Sequence, residues 1–395
     1  MPGIVVTYDR HRTRPRPAPA LDSDFRLAAE QDDNVDRPGA PPLSPSTFRS
    51  LFGHSPPVPA TVATPNDLLG PLLRDVSRSF YLTLRVLPPA IRRQISLAYL
   101  LARATDTVAD TDVLSLDDRL LELERLRERI QGNGEARLRI GDLARCQSLP
   151  AERHLLDRIE EVLACLALFD PADRHRIREV LAIITSGQTL DLRRFHGATA
   201  ERIIALPADA DLDDYTYRVA GCVGEFWTRM CLAHLFKTAD VPETELLELG
   251  VRFGKGLQLV NILRDLPRDL RNGRCYIPNE LLSARNLGPT ELLDPANAPR
   301  FQPVYASLLD RADAHLAAGW TYANALPRGQ ARVRLACAWP ILIGARTLKL
   351  LRTVNPLDPT RRVKVARGEV YRIMIGSLLR LPFPEAWRHQ FHPAG

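Results

Sequence analysis

Two stretches carry acidic residues at a spacing that could hold a metal ion against a phosphate. In Gln258–Pro278, Asn261, Asp265 and Asp269 recur every four residues, which stacks them along one face of a helix. Leu259, Ile262, Leu263 and Leu266 fall largely on other faces and can seat that helix in a core. A carboxylate ladder beside apolar surface is costly unless a cation lies between the oxygens. Hard oxygen donors suit Mg²⁺, which keeps several waters and binds through one or two carboxylates plus a substrate phosphate. The second stretch, Tyr99–Asp110, spaces Tyr99, Arg103, Asp106 and Asp110 by four, three and four residues. That is again one helical face, with an arginine one turn ahead of two carboxylates. A lone Asp-x-x-x-Asp pair says little, since Asp32/Asp36 and Asp209/Asp213 repeat it. Two ladders, one with Arg264 among its acids, together describe the halves of a metal–diphosphate site.

The elements that must position these faces are helical. Pro88-Pro89 opens a helix expected to run to about Thr105, with Ile91, Ile95, Ala98 and Ala102 at helical spacing. The same period continues over 114–130, 152–169, 172–195, 213–236 and 242–266, then 303–323, 329–353 and 359–381. No alternating strand pattern is visible, so the fold class is all-α, one large helical bundle over residues 66–395. Gly221 and Gly224 would each cost about 1 kcal/mol inside a helix, which points to close approach of a neighbour there. Pro340 should kink its helix. Residues 1–65 hold 12 of the 32 prolines and no sustained period, the signature of a disordered tail.

Composition excludes several classes. A net charge of +6 with pI near 9.1 suits anionic partners such as diphosphates or acidic lipid headgroups. Aromatics at 6% do not interleave with Lys/Arg runs, which argues against nucleic acid. The six cysteines show no C-x-x-C spacing and read as reduced core residues, and no His/Cys cluster suggests zinc. The longest apolar stretch, 335–345, contains Pro340 and is too short to cross a bilayer. The expected location is the cytoplasm, with peripheral membrane contact where lipid substrates reside.

Four motifs in order resemble the squalene and phytoene synthases, the head-to-head all-trans prenyl diphosphate synthases. They are Ser77-Arg-Ser-Phe80, the Tyr99–Asp110 face, Tyr215-Thr-Tyr-Arg-Val-Ala-Gly-Cys-Val-Gly224 and the Asn261–Pro278 run. The resemblance covers about residues 66–380 and implies an isoprenoid-synthase bundle around a central apolar cavity. It implies Mg²⁺ at Asp106, Asp110, Asp265 and Asp269, with Asn261 assisting a metal or a phosphate oxygen. Arg78, Arg103 and Arg264 would hold diphosphate, as guanidinium matches phosphate geometry with two parallel donors. Ser77 would supply a cap or phosphate hydrogen bond, Phe80 the cavity mouth, and Tyr99 and Tyr215 phenols near the reacting diphosphate. Arg274, in the turn Gly273–Pro278, reaches phosphate or caps a helix C-terminus. Pro267 and Arg268 depart from the family pattern. A proline there should bend the helix between its two aspartates, which places more weight on Asp265 than on Asp269.

The activity so implied is Mg²⁺-dependent condensation of two prenyl diphosphates, farnesyl diphosphate favoured, through a cyclopropyl diphosphate. Val363-Lys-Val-Ala-Arg-Gly-Glu-Val370 resembles the squalene synthase end of the family and tilts the product toward squalene. NADPH would then be the reductant, with Lys364 and Arg367 near its phosphates, or the two are plain surface charges. Phytoene or dehydrosqualene synthesis without reduction is the alternative. Clustered aspartates on both faces argue against a non-catalytic isoprenoid-binding protein, and the Tyr215–Gly224 and Gly273–Pro278 runs against a single-substrate cyclase. Chain length and oligomeric state are not legible in the sequence.

Overall fold

Proline and short polar side chains set where the helices begin. Pro89 occupies the first turn of α1 (Pro89–Ala109), where no intrahelical N–H is needed. Ser115 caps α2 (Leu116–Gln131), accepting from the Asp118 N–H at 3.1 Å. Asp170 caps α3 (Pro171–Arg194) through the Asp173 N–H at 2.9 Å. The computed structural model describes residues 68–77, 80–111, 114–134, 138 and 140–392. The tail expected over residues 1–65 and the candidate Arg78 lie outside them.

The later helices are α4 (Asp209–Thr216), α5 (Cys222–His234), α6 (Glu243–Arg271), α7 (Ala298–Ala325), α8 (Ala331–Leu351) and α9 (Arg367–Arg380). The fold is all-α as expected, and α6 packs along α7 and against α5. Leu259, Ile262, Leu263 and Leu266 of α6 are all buried. A methyl group on Gly224 would lie 1.8 Å from the Gly250 carbonyl oxygen, so α5 and α6 meet backbone to backbone. Five of the six cysteines are buried and none is bonded to another. No helix among the described residues is long and apolar enough to cross a membrane.

Four segments differ from the sequence expectation. The helix expected over 152–169 is broken into Pro150–Asp157, Ile159–Ala164 and a 3₁₀ turn at Cys165–Leu168. Both α-helical pieces pack on α1, and the break at Arg158 lets each press its own leucines inward. The helix expected over 213–236 is interrupted by a wide π-helical turn, Tyr217–Gly221, a form that often marks functional sites. The last expected helix begins at Arg367 rather than 359, which leaves Lys364 in an extended segment. Two residues, Ile204 and Ala205, pair in parallel with Arg274 and Cys275. This small ladder fixes the turn after α6. Gly273 there has φ +77°, and a methyl on it would lie 2.4 Å from the Thr199 nitrogen.

Candidate active site

The two aspartate ladders lie on α1 and α6, and a third helix, α3, adds a carboxylate between them. On α1, Arg103 donates to Asp106 at 2.7 Å and also pairs with Glu152. On α6, Arg264 holds Asp265 with both arms, at 3.0 and 2.7 Å. Arg268 lies 3.4 Å from Asp265 and 3.2 Å from Asp269. Each ladder is thus laced by arginines of its own helix.

Asp191 of α3 is the residue the sequence did not reveal. It accepts from the Tyr276 hydroxyl at 3.0 Å and lies 3.7 Å from Arg274, while its other oxygen is buried with no hydrogen-bond partner. It sits alone in its helix with no second acid at a telling spacing. Arg274 lies within electrostatic reach of three of these acids, Asp191, Asp110 and Asp269. Its guanidinium also lies 5.9 Å from the Phe195 ring. Glu152 is a second residue missed, because its partner Arg103 comes from a distant helix.

Burial dominates the electrostatics. It pushes the Asp106 carboxyl up, reinforced by Asp110 and opposed by Arg103. Burial likewise raises Asp269 to about 7 against the pull of Arg268, and Asp191 to about 6 against Arg274. These are carboxylates short of positive charge. A hard divalent cation between them would supply it, and the orphaned Asp191 oxygen offers one more donor. Oxygen donors of this kind suit Mg²⁺ chemically, while among the described residues no group of three or more acidic, His or Cys side chains is drawn together as a ready metal site.

The phenols sit beside the acids. Tyr215 stacks on Tyr276 with centroids 4.8 Å apart, and burial raises both phenols well above their ordinary value. They stay protonated and act as donors. Tyr99 stacks on Phe80 at 5.4 Å. It also lines a small apolar cavity of about 20 Å³ with Ile95, Ala98 and Ala102 of α1, Val180 and Ile184 of α3, and Val223, Phe226 and Trp227 of α5. Asp106 follows Ala102 by one turn, so the cavity wall and the first ladder share one helix.

The other candidates are placed as follows. Asn261 is half-buried one turn before Asp265 on α6. Ser77 is buried, and its hydroxyl donates to the Leu73 carbonyl of its own helix. Lys364 and Arg367 are exposed, the latter at the first position of α9.

Comparison with known proteins bears on the family and the fold. The squalene/phytoene synthase family matches residues 73–369. A presqualene diphosphate synthase of Zymomonas mobilis subsp. mobilis is 28% identical, over 77% of this chain and 89% of that protein. One from Rhodopseudomonas palustris is 31% identical, over 63% of this chain and 76% of that protein. Among solved structures, a ligand complex of TcSQS shares the fold, with a TM-score of 0.66 and 22% identity over 82% of this chain and 91% of that one.

Proposed function

Because the chain belongs to the squalene/phytoene synthase family of prenyltransferases, we propose that it joins two farnesyl diphosphates head to head into presqualene diphosphate. One diphosphate and one proton leave as the two chains are joined. The relatives that are presqualene diphosphate synthases support this product. The observation that carries the chemistry is the gathering of Asp110, Asp191 and Asp269 around Arg274, with Asp106 one turn beyond the apolar cavity wall on α1.

Asp106, Asp110, Asp265 and Asp269 would hold Mg²⁺, which would supply charge neutralisation for a departing diphosphate. The chain's own groups do the rest. Arg103, Arg264 and Arg274 orient phosphate oxygens with charge-assisted hydrogen bonds, and the Asn261 amide adds one neutral donor. Tyr215, kept neutral by burial, donates to a leaving oxygen rather than accepting a proton, while Tyr276 spends its hydroxyl hydrogen on Asp191 and holds that carboxylate in place. Ile95, Val180, Ile184 and Val223 keep water from the allylic cation, and the faces of Tyr99, Phe226 and Trp227 stabilise it. A second reading carries the product on to squalene with NADPH. The Val363–Val370 stretch favours it, with Lys364 and Arg367 at the reductant's phosphates.

The test is incubation of the purified protein with farnesyl diphosphate and Mg²⁺, with and without NADPH, and mass analysis of the products. A C30 diphosphate that persists with NADPH is the expected result, and chelator should abolish it. Squalene in the NADPH arm alone would establish the second reading. Turnover of geranylgeranyl diphosphate only, to an unreduced hydrocarbon, would replace both with a phytoene synthase.

A further inference from the structure

Most of the large hydrophobic side chains exposed among the described residues lie in one short C-terminal stretch. Tyr371, Ile375, Leu378 and Leu379 of α9 and Phe383 just beyond it all face solvent, Leu379 at 68% and Phe383 at 63% exposure. The four helical positions fall within about 100° of arc, so they form one stripe. The stripe is not the helix's packing face. Met374, Ser377 and Leu381 turn toward the bundle on another side of α9. A surface helix that presents a second apolar face to water is expected to have something covering it.

The stripe is held on a firm base. At the start of α9, Glu369 pairs with Arg346 of α8 at 2.5 Å. Beyond its end, Trp387 is buried and stacks on Trp320 at 5.4 Å, with the Arg334 guanidinium 4.9 Å from its ring. The Trp320 indole donates to the Arg388 carbonyl at 3.0 Å. Phe383 is thus presented one turn before an anchored tryptophan.

Charge selects the occupant. Residues 361–388 contain seven Lys/Arg and two Glu, and one of the two Glu is already paired with Arg346. Arg372 and Arg380 are exposed on α9 itself. An apolar stripe beside arginines is the pattern of a helix that lies in a membrane interface, apolar side in the acyl boundary and cations at the headgroups. A second copy of the chain fits poorly, because a two-fold contact through this face would set the same arginines against one another.

We propose that α9 and Phe383 form a docking surface for an anionic phospholipid bilayer. The surface delivers the protein to the phase in which long prenyl chains and their condensation products partition. This goes beyond the catalytic reading and stands or falls without it.

Vesicle co-sedimentation of the full chain tests the proposal, using phosphatidylcholine with and without phosphatidylglycerol. The wild-type protein should bind vesicles containing phosphatidylglycerol about tenfold or more tightly than phosphatidylcholine alone, and high salt should weaken that binding. Leu379→Asp with Phe383→Ser should lose binding while thermal unfolding stays at the wild-type temperature, because both positions are exposed. Arg372→Gln with Arg380→Gln should erase the preference for the anionic lipid. The proposal is overturned if the wild-type protein binds neither vesicle, or binds both equally. It is also overturned if the Leu379/Phe383 variant still binds, or if that variant instead abolishes a dimer seen in sedimentation velocity.

Discussion

Tyr305 donates its hydroxyl hydrogen to the Leu263 carbonyl at 3.1 Å. That is the carbonyl which Pro267, four residues on, cannot serve because it has no N–H. The proline was expected to bend α6 between Asp265 and Asp269. α6 runs on through Pro267 to Arg271, and a buried phenol from α7 takes the missing donor's place.

Tyr305→Phe should therefore destabilise the protein by about 1–3 kcal/mol, the usual cost of a buried acceptor left without a donor. Pro267→Ala restores the N–H, so Tyr305→Phe in that background should cost much less. Denaturant unfolding of the two single variants and the double variant measures the coupling. Additive losses would show that the phenol is not compensating for the proline.

Asp106→Asn and Asp265→Asn should each cut turnover by roughly 10²-fold or more, the scale seen when one preorganised electrostatic group is removed. Helical circular dichroism should stay unchanged, since an amide keeps the shape. Near-normal kcat in either variant would remove that residue from the metal site. Asp269→Asn tests the expectation that its metal role is the lesser one.

Asp191→Asn should lower kcat although the sequence gives it no motif. The amide keeps a hydrogen bond to Tyr276 but leaves Arg274 without its nearest counter-charge. Steady-state kinetics alongside Tyr276→Phe separates the two roles. A drop in Asp191→Asn that Tyr276→Phe does not share points to Arg274 and the donor set. No drop in either places Asp191 outside the site.

In the absence of metal, stability should fall as pH rises toward neutrality and beyond. The folded protein holds the Asp269 proton up to about 7, whereas the unfolded chain releases it near 3.8. The group's stabilisation is full below the lower value and is lost as pH climbs through the higher one. Asp269→Asn should flatten that part of the profile and raise the melting temperature in chelator at pH 8. Adding Mg²⁺ should raise the wild-type melting temperature most at the same pH. Thermal scans across pH, with chelator and with Mg²⁺, read both effects.

Gly224→Ala should destabilise by about 1–3 kcal/mol, because its methyl group would meet the Gly250 backbone and two helices would have to part. Gly329→Ala, with open space around it, serves as the control. Equal melting temperatures for the two variants would show that α5 and α6 are not in backbone contact in solution.

The all-α class, the two aspartate ladders and the core positions of α6 were legible in residue order because each depends on neighbours three or four apart. Helical periodicity encodes such faces directly, as the buried Leu259, Ile262, Leu263 and Leu266 illustrate. The breaks at Arg158 and Tyr217 were not legible. A continued apolar period looks the same whether a helix runs on or is reset to press both pieces on a neighbour. Asp191, Glu152 and Tyr305 act through partners 85, 49 and 42 residues away. Their chemistry exists only once packing brings their helices together, and the same packing puts Arg274 within electrostatic reach of Asp110 and Asp269. The exposed stripe on α9 has an ordinary helical period. Only the packed bundle determines which apolar face is buried and which is left to water.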